Sequence, residues 1–166
     1  MDLRAATYSD FKTVKIFFDE GRAFQNSLGF IQWLEGYPTE DLFRADCDLN
    51  RGFVIENYGV PVGYVAIDLT GDPEYDRLAR IWNYSGRYAV VHRMVLGDKM
   101  RGKGLSHELL NKIEDYVSAQ HIDIIRFDTG LKNLPMQRLL TSAGYINVGT
   151  HEFVWGPRFS YERKIR

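Results

Sequence analysis

The stretch that decides the fold runs from His92 to Ser106 and reads HRMVLGDKMRGKGLS. It begins inside a near-continuous apolar run, Tyr88 to Leu96, whose length and composition predict a strand covered on both faces. A basic loop with two glycines follows, and Leu105 to Gln120 then keeps helical spacing. The order strand, glycine loop, helix is typical of an anion site, because the first helix amides point outward at the positive end of the helix dipole.

The loop has the residues that a pyrophosphate requires. Gly102 and Gly104 allow the backbone to approach a ligand closely, and Arg101 and Lys103 add full positive charges to the amide dipoles. Two common phosphate motifs do not fit. A P-loop needs Gly-Lys followed by Ser or Thr after a longer loop, and the dinucleotide fingerprint needs a third glycine where His107 stands.

Composition limits the function classes. A chain of 166 residues suits one domain, predicted over residues 1–166, and 45% hydrophobic with 26% charged residues is ordinary for a globular protein. A net charge of -1 gives no global attraction for nucleic acid. Cys47 is the single cysteine, and the four histidines lack metal-ligand spacing, so we expect no disulfide and no metal. Acid and base precede any apolar stretch at the N-terminus, and we therefore expect a cytoplasmic protein that makes no use of a membrane.

The rest of the chain predicts an α/β protein with a mixed sheet and helices on both faces. Capping signals and apolar periodicity indicate helices over Asp10–Asn26, from Pro38 to about Leu49, and over Leu134–Ala143. Further strands are expected over Leu3–Ala6, Gly52–Asn57, Val62–Leu69, Ile122–Phe127, Tyr145–Trp155 and Phe159–Lys164, the last two joined by a turn at Gly156-Pro157. Thr70 to Gly86 is predicted to be a loop or lid with a short helical piece around 75–81.

The segment from Arg101 to Ser106 resembles the Arg/Gln-x-x-Gly-x-Gly/Ala acyl-CoA signature of the GNAT superfamily, with Ser106 in the last small position. The order of elements agrees, because the signature follows the fourth predicted strand and two helices precede the hairpin. Downstream, the segment from Asn133 to Tyr145 resembles the Asn-x-x-Ala/Met helix of that family, which ends in Gly-Phe/Tyr. The resemblance covers essentially the whole chain.

This resemblance implies a mostly antiparallel sheet that splays between the fourth and fifth strands, with the pantetheine arm of acetyl-CoA in the gap. It also implies backbone contacts to that arm from the fourth strand, with a main-chain amide near Met94 facing the thioester oxygen and stabilising the developing oxyanion. The implied cofactor-binding residues are Met94, Val95, Leu96, Arg101, Gly102, Lys103, Gly104, Leu105, Ser106, Asn133, Met136, Gln137 and Arg138. Core packing for the strand residues and helix capping for Asn133 are the structural alternatives.

The catalytic acid, the catalytic base and the wall of the acceptor pocket each have candidate positions. The family often places a tyrosine on the last helix to protonate the departing thiolate, and that position here is Leu140. Candidate bases for the attacking amine are His92, Asp128, Glu152 and Tyr161, of which His92 ranks first because its ordinary pKa lies near neutrality. A hydrogen-bonded core histidine is the alternative for His92. Aromatic residues that could line an acceptor pocket, or only pack between helix and sheet, are Trp33, Tyr37, Tyr75, Trp82, Tyr84 and Tyr88.

The resemblance thus implies an N-acetyltransferase that moves an acetyl group from acetyl-CoA, by direct attack, to a primary amine of a small molecule, a peptide or a protein. Two alternatives stay open. One is a non-catalytic acyl-CoA-binding module that senses the acyl-CoA pool, and the other is a nucleotide-phosphate binder that uses the Arg101 to Ser106 loop without thioester chemistry. The acceptor, the acyl length and the oligomeric state, monomer or homodimer, are left open.

Overall fold

The computed structural model describes residues 1–165. Its strands are β1 (Asp2–Ala5), β2 (Gly52–Asn57), β3 (Val60–Asp68), β4 (Tyr88–Leu96), β5 (Ile124–Gly130), β6 (Ile146–Phe153) and β7 (Gly156–Lys164). Its helices are α1 (Phe11–Ser27), α2 (Glu40–Asp48), α3 (Pro73–Arg77), α4 (Leu105–Ala119) and α5 (Leu134–Ser142), with short 3₁₀ turns at 8–10 and 98–100. Within residues 1–165, no helix is long and apolar enough to cross a membrane.

The seven strands form one sheet in the order β1-β2-β3-β4-β5-β7-β6, which confirms the predicted mixed α/β class and the central place of β4. The β1–β2, β2–β3, β5–β7 and β6–β7 pairs are antiparallel. The β4–β5 pair is parallel, and its register joins Tyr88 to Ile124, Ala89 to Ile125 and Val90 to Arg126. The sheet is therefore mostly antiparallel with one short parallel pair at its centre.

The described chain falls into two compact units. The first contains residues 1–67 and 92–112. Its core joins Val14 and Phe18 of α1 and Phe43 of α2 to Val54 of β2 and Tyr64 of β3. Phe18 and Phe43 contact the Tyr64 ring with centroids 5.2 and 5.5 Å apart. Helices α1 and α2 therefore cover one face of the strands in this unit.

The second unit contains residues 68–91 and 113–165. Because side chains alternate along β5, its two faces carry different partners. On one face, Ile124 belongs to a core cluster with Tyr75 of α3 and Val90 of β4. On the other face, Phe127 packs edge-on against Tyr145, which follows α5, with ring centroids 5.1 Å apart. The two faces of β5 thus pack against different segments, α3 on one side and Tyr145, beyond the end of α5, on the other.

The predicted position of the last turn is wrong. Gly156 and Pro157 were expected to form it, but both lie in β7, where they pair with Phe153 and Glu152. The turn consists of Val154 and Trp155. Proline is tolerated at this point because it stands at the start of its strand, where the loss of one backbone donor matters little.

Candidate functional site

The glycine loop starts from a fixed anchor on the first unit. The Gly97 amide donates to the Val62 carbonyl at 2.8 Å, and the Asp98 amide donates to Glu20 Oε2 of α1 at 2.8 Å. A Cβ built on Gly97 would come within 2.9 Å of the Phe17 ring of α1, so a side chain at this position would require that ring to shift. The end of β4 is therefore tied to β3 and to α1 before the loop begins.

The loop itself presents open backbone. Gly102 and Gly104 have φ of 71° and 74°, and nothing lies within 4 Å of a Cβ built on either residue. The positive φ explains the choice of glycine, since other residues adopt it at a cost. α4 begins at Leu105, directly after the second glycine, and its first-turn amides have no acceptor within the helix. This arrangement fits a diphosphate, which needs close backbone approach and outward-pointing amides.

The two basic side chains of the loop, Arg101 and Lys103, differ in their exposure and in their contacts. Lys103 is exposed. Arg101 pairs with the Asp98 carboxylate, and its guanidinium carbon lies 4.4 Å from the Phe24 ring centroid. Partial burial lowers the pKa of Arg101. Lys103 is thus the freer cation of the loop, while Arg101 also braces the loop against α1.

The strand before the loop contains the residues whose backbone is predicted to contact the cofactor. Val95 is buried, and its Cγ2 lies 2.8 Å from a Cβ built on Gly21 of α1. His92, Met94 and Leu96 are half-buried. Arg93, between His92 and Met94, has a φ of 53°, which places a left-handed residue inside the strand. The backbone of β4 therefore bends at Arg93, a feature that the sequence does not signal.

In the second unit, Asp128 is the centre of a polar and aromatic cluster. Tyr75 Oη donates to Asp128 Oδ2 at 2.7 Å, Trp155 Nε1 donates to Oδ1 at 3.3 Å, and Arg158 Nε lies 3.6 Å from Oδ1. Burial, with the carboxylate nearby, raises the pKa of Tyr75 well above its ordinary value, so the phenol stays a donor. Tyr75 also stacks on Trp82, with centroids 5.4 Å apart and an interplanar angle of 3°.

Tyr161 and Glu152 lie elsewhere in this unit. Tyr161 pairs with Phe127 in the β5–β7 register, whereas Asp128 pairs with Ser160. Strand alternation therefore places Tyr161 on the face opposite Asp128. Tyr161 is buried, and its hydroxyl accepts from Asn147 Nδ2 at 3.4 Å. Glu152 is exposed. The structure does not bring these two side chains to the Asp128 cluster.

Helix α5 uses its first residues mainly for its own stability. Asn133 Oδ1 accepts from the Met136 amide at 3.3 Å, which is a helix N-cap, and Gln137 Nε2 donates to the carbonyls of Gly130 and Leu131 at 3.1 and 3.0 Å. Arg138 is exposed and Met136 half-buried, and their predicted cofactor contacts stay predictions. Leu140 is fully buried in the same helix.

One polar pair was missed by sequence reasoning. His151 Nδ1 lies 3.1 Å from Ser160 Oγ, and burial lowers the pKa of His151. Ser160 is itself fully buried. No local pattern signals this pair, because the β6–β7 register shifts between Asn147 and Gly149. Ser160 pairs with Asp128 in the other register, so it lies on the Asp128 face of β7.

The sequence model of the Acetyltransferase (GNAT) family matches residues 17–145. The chain belongs to this family. Among solved structures, a GNAT family acetyltransferase from Streptococcus agalactiae is 26% identical, with 98% of this chain and 94% of that chain covered and a TM-score of 0.87. A GNAT acetyltransferase from Listeria monocytogenes is 19% identical, with 98% and 93% covered and a TM-score of 0.75.

The aminoglycoside acetyltransferase AAC(6')-Ib, solved in complex with coenzyme A, is 18% identical to this GNAT protein, with 98% and 94% covered and a TM-score of 0.74. At that identity the likeness shows the fold. No curated protein matches the chain at a significant level.

Proposed function

We propose that this GNAT protein is an N-acetyltransferase that transfers the acetyl group of acetyl-CoA to a primary amine by direct attack. The observation that carries the proposal is the loop from Arg101 to Ser106, in which two left-handed glycines with open surroundings lead directly into α4. Membership of the GNAT family supports a thioester cosubstrate, and AAC(6')-Ib, a protein of the same fold, was solved with coenzyme A.

The loop would bind the pyrophosphate through the backbone of Gly102 to Ser106 and the Lys103 ammonium group. The β4 backbone from Met94 to Leu96 would hold the pantetheine arm, and the Met94 amide would donate to the thioester oxygen as negative charge develops there. These contacts use main-chain groups. They are therefore compatible with the packing of the Val95 side chain in the core of the first unit.

For the acceptor, the proposal is a primary amine that is bound as an ammonium ion. AAC(6')-Ib, a protein of the same fold, supports this class, because it was solved in complex with the amines ribostamycin and kanamycin. The attack requires a neutral amine, so a base must take one proton. His92 stays the first candidate, with Asp128 second. Leu140 is buried and carries no acid, and water would protonate the thiolate of the leaving CoA.

The test follows release of the free CoA thiol from acetyl-CoA in the presence of a panel of amines: an aminoglycoside, a polyamine, amino acids and a peptide with a free N-terminus. At least one amine should raise thiol release well above the amine-free rate, with matching formation of the N-acetyl product. Binding of acetyl-CoA without amine-dependent release would support an acyl-CoA-binding module instead. Failure to bind CoA, together with binding of ATP, would overturn the cofactor assignment.

A further inference from the structure

A left-handed residue in the middle of β4 requires an explanation. Arg93 has a φ of 53°, and the other non-glycine residues with positive φ among residues 1–165, which are Asn50, Tyr58 and His121, lie in turns or at a helix end. In this conformation an L-residue is disfavoured relative to glycine by a factor of about five to thirty. The strand must therefore gain something from the arginine that offsets this cost.

The Arg93 side chain is clamped by a buried carboxylate of α2. Arg93 Nε lies 3.0 Å from Asp46 Oδ2, and Arg93 Nη2 lies 2.7 Å from Asp46 Oδ1, so the pair is bidentate. The Asp46 side chain is 0% exposed and that of Arg93 is 8% exposed. Burial opposes the charge on Arg93, but Asp46 and Tyr37 together outweigh burial and raise the pKa of Arg93. The Arg93 guanidinium therefore keeps its charge at neutral pH.

Asp46 is itself held from two further sides. It accepts from Arg51 Nε at 2.7 Å and from Tyr64 Oη at 2.8 Å. Tyr64 lies on β3 and is fully buried. These contacts fix the carboxylate in one orientation, and a bidentate arginine on such a carboxylate has little freedom to rotate. The position of the Arg93 backbone is thus specified from α2 through a rigid pair.

Stability alone does not account for this pair. A buried ion pair is often no more stabilising than apolar side chains of the same volume, because desolvation cancels the attraction. What the pair adds is control over the orientation of the neighbouring peptide groups. Arg93 lies between His92 and Met94, so its left-handed conformation turns the peptide groups on either side, including the Met94 amide.

We propose that Asp46 is a positioning residue, which acts through Arg93 to hold the left-handed bend in β4 and thereby presents the backbone from Met94 to Leu96 to acyl-CoA. This inference rests on the proposed function. At position 93 the guanidinium imposes a backbone conformation that glycine adopts at no cost.

The experiment compares Arg93→Gly with Arg93→Ala. Both variants remove the same ion pair, but alanine resists the left-handed conformation and glycine does not. CoA affinity is measured by isothermal titration calorimetry at a temperature where near-ultraviolet circular dichroism shows both variants folded. We expect Arg93→Ala to bind CoA about five- to thirtyfold more weakly than Arg93→Gly.

Asp46→Asn supplies an independent arm, in the wild-type chain and in the Arg93→Gly background. It should weaken CoA binding in the first and have little effect in the second, because glycine no longer needs the clamp. If Arg93→Ala does not fold, the two Asp46→Asn measurements decide whether the clamp acts through the conformation of Arg93. A purely structural ion pair predicts lower melting temperatures with equal CoA affinities for Arg93→Gly and Arg93→Ala, and that result would overturn the inference. A wild-type protein that binds no CoA would instead refute the proposed function.

Discussion

The glycine loop gives a quantitative test, because the chain contains a matched control. Gly104 has a φ of 74° and Gly59, in the β2–β3 turn, has a φ of 75°, and nothing lies within 4 Å of a Cβ built on either residue. Gly104→Ala and Gly59→Ala therefore carry the same backbone cost of about 1–2 kcal/mol and no clash within the protein. For a chain of this length, each variant should melt roughly 2–8 °C below wild type.

The ligand response should separate the two variants. CoA at 100 times Kd adds about 2.7 kcal/mol, which raises the melting temperature by roughly 5–11 °C. Gly59→Ala should keep this shift in full. Gly104→Ala should lose most of it, since its methyl group occupies the open space that the diphosphate requires. Differential scanning fluorimetry at several CoA concentrations measures both values, and equal CoA shifts in the two variants would refute the placement of the cofactor.

Three further outcomes are expected. His92→Ala should lower kcat/KM by about 10² to 10⁴ with CoA affinity unchanged, and it should flatten the acid limb of the pH–rate profile. An unaltered acid limb would exclude His92 as the base. Leu140→Tyr should destabilise the fold by about 1–3 kcal/mol in thermal melts, because Leu140 is fully buried and the larger ring overpacks its site. An unchanged melting temperature would contradict that burial. The hydrogen bond from Arg4 lowers the pKa of Asp10 from 3.8 to about 2. The stabilisation of the fold by ionised Asp10 is therefore complete above pH 4 and is lost as the pH falls towards 2. Asp10→Asn should remove this acid-dependent loss of unfolding free energy, which is measured by chemical denaturation at pH 2–5. If the unfolding free energy of the variant keeps the wild-type dependence on pH, the Arg4–Asp10 pair is not the source of the loss.

Much of the fold was predictable because its signals are local. The apolar run Tyr88–Leu96 and the first hairpin strand Gly52–Asn57 were predicted with the bounds that the structure has. The start of α4 at Leu105 was also correct, since the glycines before it end the loop. β3 was predicted two residues too short at its start and one too long at its end, and β5 began two residues later than expected. Such errors arise because a strand ends where its partner stops pairing, and the partner is distant in sequence.

The wrong turn at Gly156-Pro157 has the same origin. Glycine and proline favour turns by their own dihedral preferences, and that preference is all that a local reading contains. The register of β6 on β7 instead places the turn at Val154 and Trp155. Pairing over the whole length of two strands outweighs the preference of two residues.

The sequence by itself determined the glycine loop, its charges and the strand and helix on either side, because each depends on residues that are neighbours in the chain. Only the tertiary structure decided the Arg93–Asp46 clamp, the Tyr75–Asp128 hydrogen bond and the His151–Ser160 pair. Their partners stand 47, 53 and 9 positions apart, on different elements. Dihedral preference and periodicity act over a few residues, whereas the contacts that orient a charged side chain depend on which elements pack together.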